Sequence, residues 1–315
     1  MPVCVGEACL YNRLLGRCCL VFLWCERAFM RILVFGAAGM LGHALVRELK
    51  QAHEVYAAVR SEPPEELEGA SATFIGTDVA DADAIELLLE ASRPQWVINA
   101  AGVVKQKSDG AATQIAVNAL APHRMAELCH AQGVPILHFS TDCVFSGARG
   151  QYSEEDVPDP VDLYGLSKLL GEITENGALT LRTSMIGLEL QTHHGLVEWF
   201  LRQQGRANGY RHAVFSGLTT QELARVARSI VERRSPLTGL LHVAAVPINK
   251  YDLLRQLSER LPWHSVELEP VDQPVIDRTL VSRAFTALTG YVAPSWPVML
   301  DELARAIDER RSSRR

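Results

Sequence analysis

The chain has 315 residues, with 31 Lys and Arg against 37 Asp and Glu for a net charge of −6, and 48% of its residues are hydrophobic. That length allows one large or two modest domains with an ample core. The acidic balance leaves no basic footprint, which argues against nucleic acid as a partner.

Five of the seven cysteines (Cys4, Cys9, Cys18, Cys19, Cys25) fall in the first 25 residues, at spacings that fit no zinc pattern. The apolar run from Cys18 to Cys25 follows Arg13 and Arg17 in the manner of a weak signal peptide. It is short, lacks a small-residue cleavage site and leads almost directly into a core strand. It is also too short to span a membrane. Residues 1–29 are therefore expected to be an extension outside the fold, with Met30 as a natural start. Cys129 and Cys143 sit in core segments and read as reduced thiols, which suits a cytoplasmic protein.

Arg31 to Phe35 is a short apolar run, expected to be a buried parallel strand, with a helix after Gly42 running to about Gln51. Val55–Val59 and Ala72–Ile75 are further strands. Ala80–Ala91 reads as a helix whose first turn carries Asp81 and Asp83, as the helix dipole favours. Trp96–Asn99 is a fourth strand. A long helix carries Asn118 and stops near Gly133; a strand at Pro135–Ser140, a helix around Tyr164 and a strand at Leu179–Thr183 follow. This alternation predicts a doubly wound parallel α/β sheet of Rossmann type. After Ser184 the pattern loosens. A helix at Gly195–Gln204, a Thr219 or Thr220 helix cap, a strand at Leu240–Ala244, an Asn249-capped helix, a strand at Val266–Val271 and a helix from Trp296 are expected. The division reads as a nucleotide-binding domain over 30–185, with later sheet additions around 212–245, and a substrate lobe from 186–211 and 246–315.

Gly36, Gly39 and Gly42 follow the first strand and open a helix. Such glycines permit a tight turn, close backbone approach to a pyrophosphate and close helix–strand packing. Backbone groups of Gly36, Gly39, Met40, Leu41 and Gly42 are thus expected to hold phosphates at a helix start. The second strand ends at Arg60, where an acid would favour NAD and an Arg accommodates the 2′-phosphate of NADP. NADP is favoured and NAD remains open. Asp78 and Val79 are placed at the adenine, Ala100, Ala101 and Gly102 beneath the ribose and nicotinamide, and Asn118 among the cofactor contacts.

Tyr164 and Lys168 lie four apart, on one helix face. Seven tyrosines and five lysines in 315 residues would give about 0.1 such pairs by chance. A phenol beside an ammonium is a proton donor with a lowered pKa. Thr141, at the end of a strand, can hold a carbonyl oxygen before that phenol. Lys105 and Gln106 are near the substrate by location alone.

Gly36-x-x-Gly39-x-x-Gly42, Asn99-Ala100-Ala101-Gly102, Ser140-Thr141-Asp142, Tyr164-x-x-x-Lys168 and Arg182-Thr183-Ser184 together resemble the extended short-chain dehydrogenase/reductases. Ser140-Thr141-Asp142-x-Val144-Phe145-x-Gly147 with Tyr152-x-Glu154 resembles the dTDP-4-dehydrorhamnose reductases and related sugar-nucleotide reductases. The resemblance implies reduction of a nucleotide-linked 4-keto-6-deoxy sugar for surface polysaccharide precursors. Tyr164 would be the proton donor. Lys168 would lower its pKa and bind the nicotinamide ribose. Thr141 would bind the substrate oxygen, and Asp142, Lys105 and Met185 would line the sugar pocket. Cys143 stands where the related dehydratases carry Glu, and Met185 where the rhamnose reductases carry Trp. His43 replaces a carboxylate that serves a metal in some relatives, so no metal is expected. His193 and His194, as a pair with no nearby carboxylate or Cys expected to complete a metal site, read as exposed loop residues. A homodimer is a reasonable expectation. Two alternatives stay open: an epimerase with retained NAD, and a non-catalytic nucleotide-binding subunit like the reductase-like subunit of methionine adenosyltransferase.

Overall fold

The structure, a computed structural model, describes residues 29–104 and 110–313. The chain runs β1 (Arg31–Phe35), α1 (Gly42–Leu49), β2 (Glu54–Val59), β3 (Ala72–Ile75), α2 (Ala82–Ser92), β4 (Trp96–Asn99), α3 (Gly110–Ile115), α4 (Ala121–Ala131), β5 (Ile136–Thr141), α5 (Leu163–Leu170) and β6 (Leu179–Thr183). There follow β7 (Met185–Ile186), α6 (Leu196–Leu201), β8 (Gly205–Tyr210), β9 (Ala213–Phe215), β10 (Leu218–Thr219), α7 (Thr220–Val231) and β11 (Gly239–His242). The last elements are β12 (Ile248–Asn249), α8 (Lys250–Ser258), β13 (Val266–Val271), β14 (Ile276–Asp277), α9 (Arg283–Thr289) and α10 (Trp296–Ser313).

Seven parallel strands form the main sheet in the order β11-β6-β5-β4-β1-β2-β3. The chain builds outward from β1 in one direction and then from β4 in the other. The strand order therefore reverses between β1 and β4, and a crevice opens at their carboxyl ends, the place where such sheets bind ligands. Successive residues of β1 face opposite sides. Ile32 and Val34 pack into a cluster with Leu45, Leu49 and Ile230, whereas Leu33 and Phe35 pack into a second with Ile85, Leu89 and Met125. Both faces are thus covered, which is why these strands read as continuous apolar runs.

The expected long helix around Asn118 is two α segments joined by a π-helical turn at Ala116–Leu120. Two caps are where the sequence places them: Thr219 accepts from Glu222 N and Asn249 from Asp252 N. Asp81, expected within the first turn of a helix from Ala80, is instead the cap of α2 and accepts from Asp83 N. The helix expected at Gly195–Gln204 is shorter, because Gly205 turns directly into β8.

Of residues 212–245, only β11 joins the main sheet. β9 pairs with β12 and β14, β10 pairs with β7, and β8 pairs with β13. Strands of two or three residues carry no readable periodicity. Residues 1–28, which include the five clustered cysteines, lie outside the described residues, as do Lys105 and Gln106. Among the described residues no helix is long and apolar enough to cross a membrane.

Candidate active site

A cleft of about 710 Å³ opens where β1 and β4 end. Phe35 pairs with Asn99 in register, and Ala100 N donates to Phe35 O at 3.0 Å, so the Gly36 turn and the Ala100–Gly102 loop lie side by side. Gly36 has φ +74°, and a Cβ there would sit 2.6 Å from Ala101 N. Gly42 does not line the cleft. A Cβ on it would lie 2.0 Å from Gly36 O, so its role is to let α1 touch the turn. Gly39 has space around it: an added Cβ meets only Gly36 O, at 3.1 Å. The result is a backbone cradle at a helix start, the shape a dinucleotide diphosphate requires.

The same cleft collects Met40, Leu41, Arg60, Asp78, Val79 and Ala100–Gly102 along one end, and Thr141, Asp142, Tyr164, Lys168 and Met185 along the other. Asp78 Oδ1 accepts from Ala80 N at 2.9 Å, so one of its oxygens is a turn-former. Asn118 is not brought to the cleft. It is fully buried; its Oδ1 accepts from Val103 N, and its Nδ2 donates to Val103 O and Ser167 Oγ. It ties the floor loop to α5 from behind, and its place inside a π turn explains why spacing alone misplaces it.

Thr141 Oγ1 donates to Asp142 Oδ1 at 3.2 Å and accepts from Cys143 N at 3.1 Å. The expected lowering of the Tyr164 pKa is not what the site shows. Burial raises the phenol well above its ordinary value, the neighbouring acidic groups of Cys143, Asp142 and Asp162 add to this, and a hydrogen bond with Thr141 opposes it. The Lys168 amino group is directed elsewhere: Nζ donates to Phe139 O at 2.7 Å and lies 3.4 Å from His138 Nε2. Burial pulls Lys168 down to about 8, with Glu172 opposing. Burial likewise pushes the Cys143 thiol up to about 12, so it is no nucleophile.

The family model of the RmlD substrate binding domain matches residues 30–280. The chain belongs to that family. The beta subunit of methionine adenosyltransferase 2 from Rattus norvegicus is 28% identical over 267 residues, 78% of this chain and 77% of its own. The dTDP-4-keto-6-deoxy-D-glucose reductase of Streptomyces niveus is 28% identical over 258 residues, 76% of this chain and 82% of its own. A dTDP-4-dehydrorhamnose reductase from Bacillus anthracis, solved in complex with NADP, superposes with a TM-score of 0.72 at 20% identity, covering 88% of this chain and 99% of that one. The Rossmann-type fold and the resemblance to the dTDP-4-dehydrorhamnose reductases are borne out, and the oxidoreductase reading stands with the reductases among these relatives.

The RmlD-family chain also brings two cations to the cleft that sequence reading missed. Lys250, the first residue of α8, and Arg278, just after β14, line the end that holds Asp142. Arg278 Nε is fixed by Phe145 O at 2.9 Å. Burial raises the Asp142 carboxyl above its usual range and Arg278 opposes this. Neither cation sits in a motif; only the rarity of Lys in this chain marks Lys250. His193 also departs from expectation. Its Nδ1 lies 3.3 Å from Glu198 Oε2, and Glu189 Oε2 accepts from His194 N, so carboxylates stand beside both residues. They organise the loop whose Glu189–Thr192 stretch borders the cleft. Among the described residues no group of three or more His, Cys, Asp or Glu could hold a metal.

Proposed function

We propose that the protein is an NAD(P)-dependent reductase of a nucleotide-linked 4-keto-6-deoxy sugar, serving synthesis of surface polysaccharide precursors. The observation that carries this reading is a single cleft uniting the Gly36–Gly42 cradle with Thr141, Tyr164 and Lys168. A bound nicotinamide supplies hydride. The backbone of Gly36, Gly39, Met40 and Leu41 holds its diphosphate, and Ala100–Gly102 forms the floor. Thr141 donates to the reacting carbonyl oxygen and so stabilises its developing charge. Tyr164 delivers the proton to that oxygen. Lys168 supplies a donor to the ribose and the positive charge that steadies the phenolate left behind. Lys250 and Arg278 meet the anionic diphosphate of the sugar nucleotide, with Asp142 and Met185 toward the sugar.

Arg60 on the cleft wall supports NADPH as the preferred donor. Arg60→Ala is expected to weaken NADPH binding about 10-fold or more, the loss of one charge-assisted contact, and to leave NADH unchanged. Equal effects on both would remove the preference. We read the protein as cytoplasmic, in keeping with free Cys129 and Cys143. The exposed apolar residues Leu166 and Leu170 on α5, with Leu120 nearby, support a homodimer through that face.

The test is oxidation of NADPH and NADH by the purified protein with dTDP- and UDP-linked 4-keto-6-deoxy sugars. Consumption that depends on the sugar supports the reading, and cofactor binding with no consumption across the panel refutes it. The second outcome favours a nucleotide-binding regulatory subunit, a reading that the similarity to the methionine adenosyltransferase beta subunit supports.

A further inference from the structure

Behind the cleft lies a buried polar chain that the proposed chemistry does not use. His138, in β5, is fully buried, and Asn99 is 1% exposed. Ala101 N donates to Asn99 Oδ1 at 3.1 Å. This fixes the amide, because a backbone N–H can meet only its oxygen. Asn99 Nδ2 therefore faces His138 Nδ1, 3.1 Å away, and must donate to it. A neutral imidazole carries one proton. With Nδ1 accepting, that proton is on Nε2, which points at Lys168 Nζ at 3.4 Å.

An ammonium group has three donors and no acceptor, so it would set N–H against N–H here. A free amine resolves the conflict. Its lone pair accepts from His138 Nε2, and one of its hydrogens goes to Phe139 O. Every polar atom in the chain is then paired, as buried polar groups require.

We propose that His138 is a positioning residue that favours the free-amine form of Lys168 in the unliganded cleft, through the directed chain Ala101–Asn99–His138–Lys168. Lys168 takes up a proton when its Nζ leaves His138 for acceptor oxygens in the cleft. The first statement concerns the free protein alone; its consequence, proton uptake on dinucleotide binding, rests on the reductase reading. Burial holds His138 well below its ordinary pKa, consistent with a neutral ring. The other titratable groups here are Tyr164 on α5 and Glu172 just beyond it. Glu172 is already engaged by Arg182 Nε and Nη2, both at 2.8 Å, and by Ser140 Oγ.

The experiment is NMR of the free protein. Long-range proton–nitrogen spectra read the His138 tautomer, and the side-chain carbon of Lys168 reads its titration. The native protein is expected to show an Nε2–H ring throughout pH 6–9. Asn99→Asp replaces the donor with an acceptor, so it should move the proton to Nδ1 and turn the Nε2 lone pair toward Lys168. His138→Phe removes the donor altogether. In both, the Lys168 midpoint should rise by about one pH unit or more. A merely structural role for His138 leaves the Lys168 midpoint unmoved in His138→Phe, which introduces no charge, whereas the Asn99→Asp carboxylate adds its own upward shift. An Nδ1–H ring in the native protein, or an unmoved midpoint in Asn99→Asp, overturns the proposal even if His138→Phe fails to fold.

Discussion

Two alanine substitutions in the glycine turn separate packing from ligand approach. In Gly42→Ala the new Cβ would lie 2.0 Å from Gly36 O and 2.7 Å from Ala37 Cα. Both neighbours are backbone, so no rotamer change relieves the clash. Reaching ordinary contact needs α1 to move more than about 1 Å from the turn, an overpacking cost of roughly 1–3 kcal/mol. In Gly39→Ala the Cβ meets only Gly36 O at 3.1 Å, which yields with a shift of a few tenths of an ångström. Stability should then stay within about 0.5 kcal/mol of the parent, aided by a stiffer unfolded chain. The methyl instead occupies the approach to the backbone N–H groups. Losing one or two charge-assisted hydrogen bonds to a diphosphate costs roughly 2–4 kcal/mol, or about 30- to 1,000-fold in Kd. Calorimetric Tm and dinucleotide titration measure the two effects separately. A Gly39→Ala protein that binds dinucleotide as well as the parent would refute the cradle, and a Gly42→Ala protein of undiminished Tm would refute the packing argument.

Tyr164→Phe should retain dinucleotide binding while lowering kcat about 10²–10⁴-fold, the contribution typical of a positioned proton donor; steady-state kinetics with either coenzyme checks it. Lys250→Met should raise the KM for sugar nucleotide about 10-fold or more with a smaller change in kcat, as expected for loss of a substrate-charge contact. Unfolding stability should fall as pH drops below about 6.5. Burial, reinforced by the charge of Arg182, lowers His242 to about 4, so between these values the unfolded chain binds the proton and the fold does not. One such proton gives a slope of about 1.4 kcal/mol per pH unit. Denaturant titrations of His242→Gln from pH 7 to 4 should show that much less slope, and an unchanged slope would exclude His242 as its source.

Much of the site is legible in the chain because its parts are local. The Gly36–Gly42 turn, the Ala100–Gly102 loop and Thr141 each sit at the end of an apolar strand, and Tyr164 and Lys168 share one helix face. Parallel-sheet topology then brings strand ends together without further information. What was hidden is long-range. Lys250 and Arg278 reach the cleft from segments more than 100 residues past Asp142, with no motif around them. Asn118 resembles a cleft residue in linear order, but the π turn sends its amide to Val103 and Ser167. The direction of Lys168 Nζ depends on His138 and Phe139, which look in sequence like ordinary strand residues. The Tyr164 pKa follows from burial, a property of the assembled cleft.

The central claim is that this cleft transfers a hydride to a sugar carbon. Incubating the protein with NADPH deuterated at the transferred position and a dTDP-4-keto-6-deoxy sugar, then weighing the product sugar by mass spectrometry, tests it most directly. The account predicts one deuterium, on the carbon that was the ketone, in the native protein, with its formation suppressed in Tyr164→Phe. A protein that binds the dinucleotide yet places no deuterium in any nucleotide-linked 4-keto sugar would contradict it.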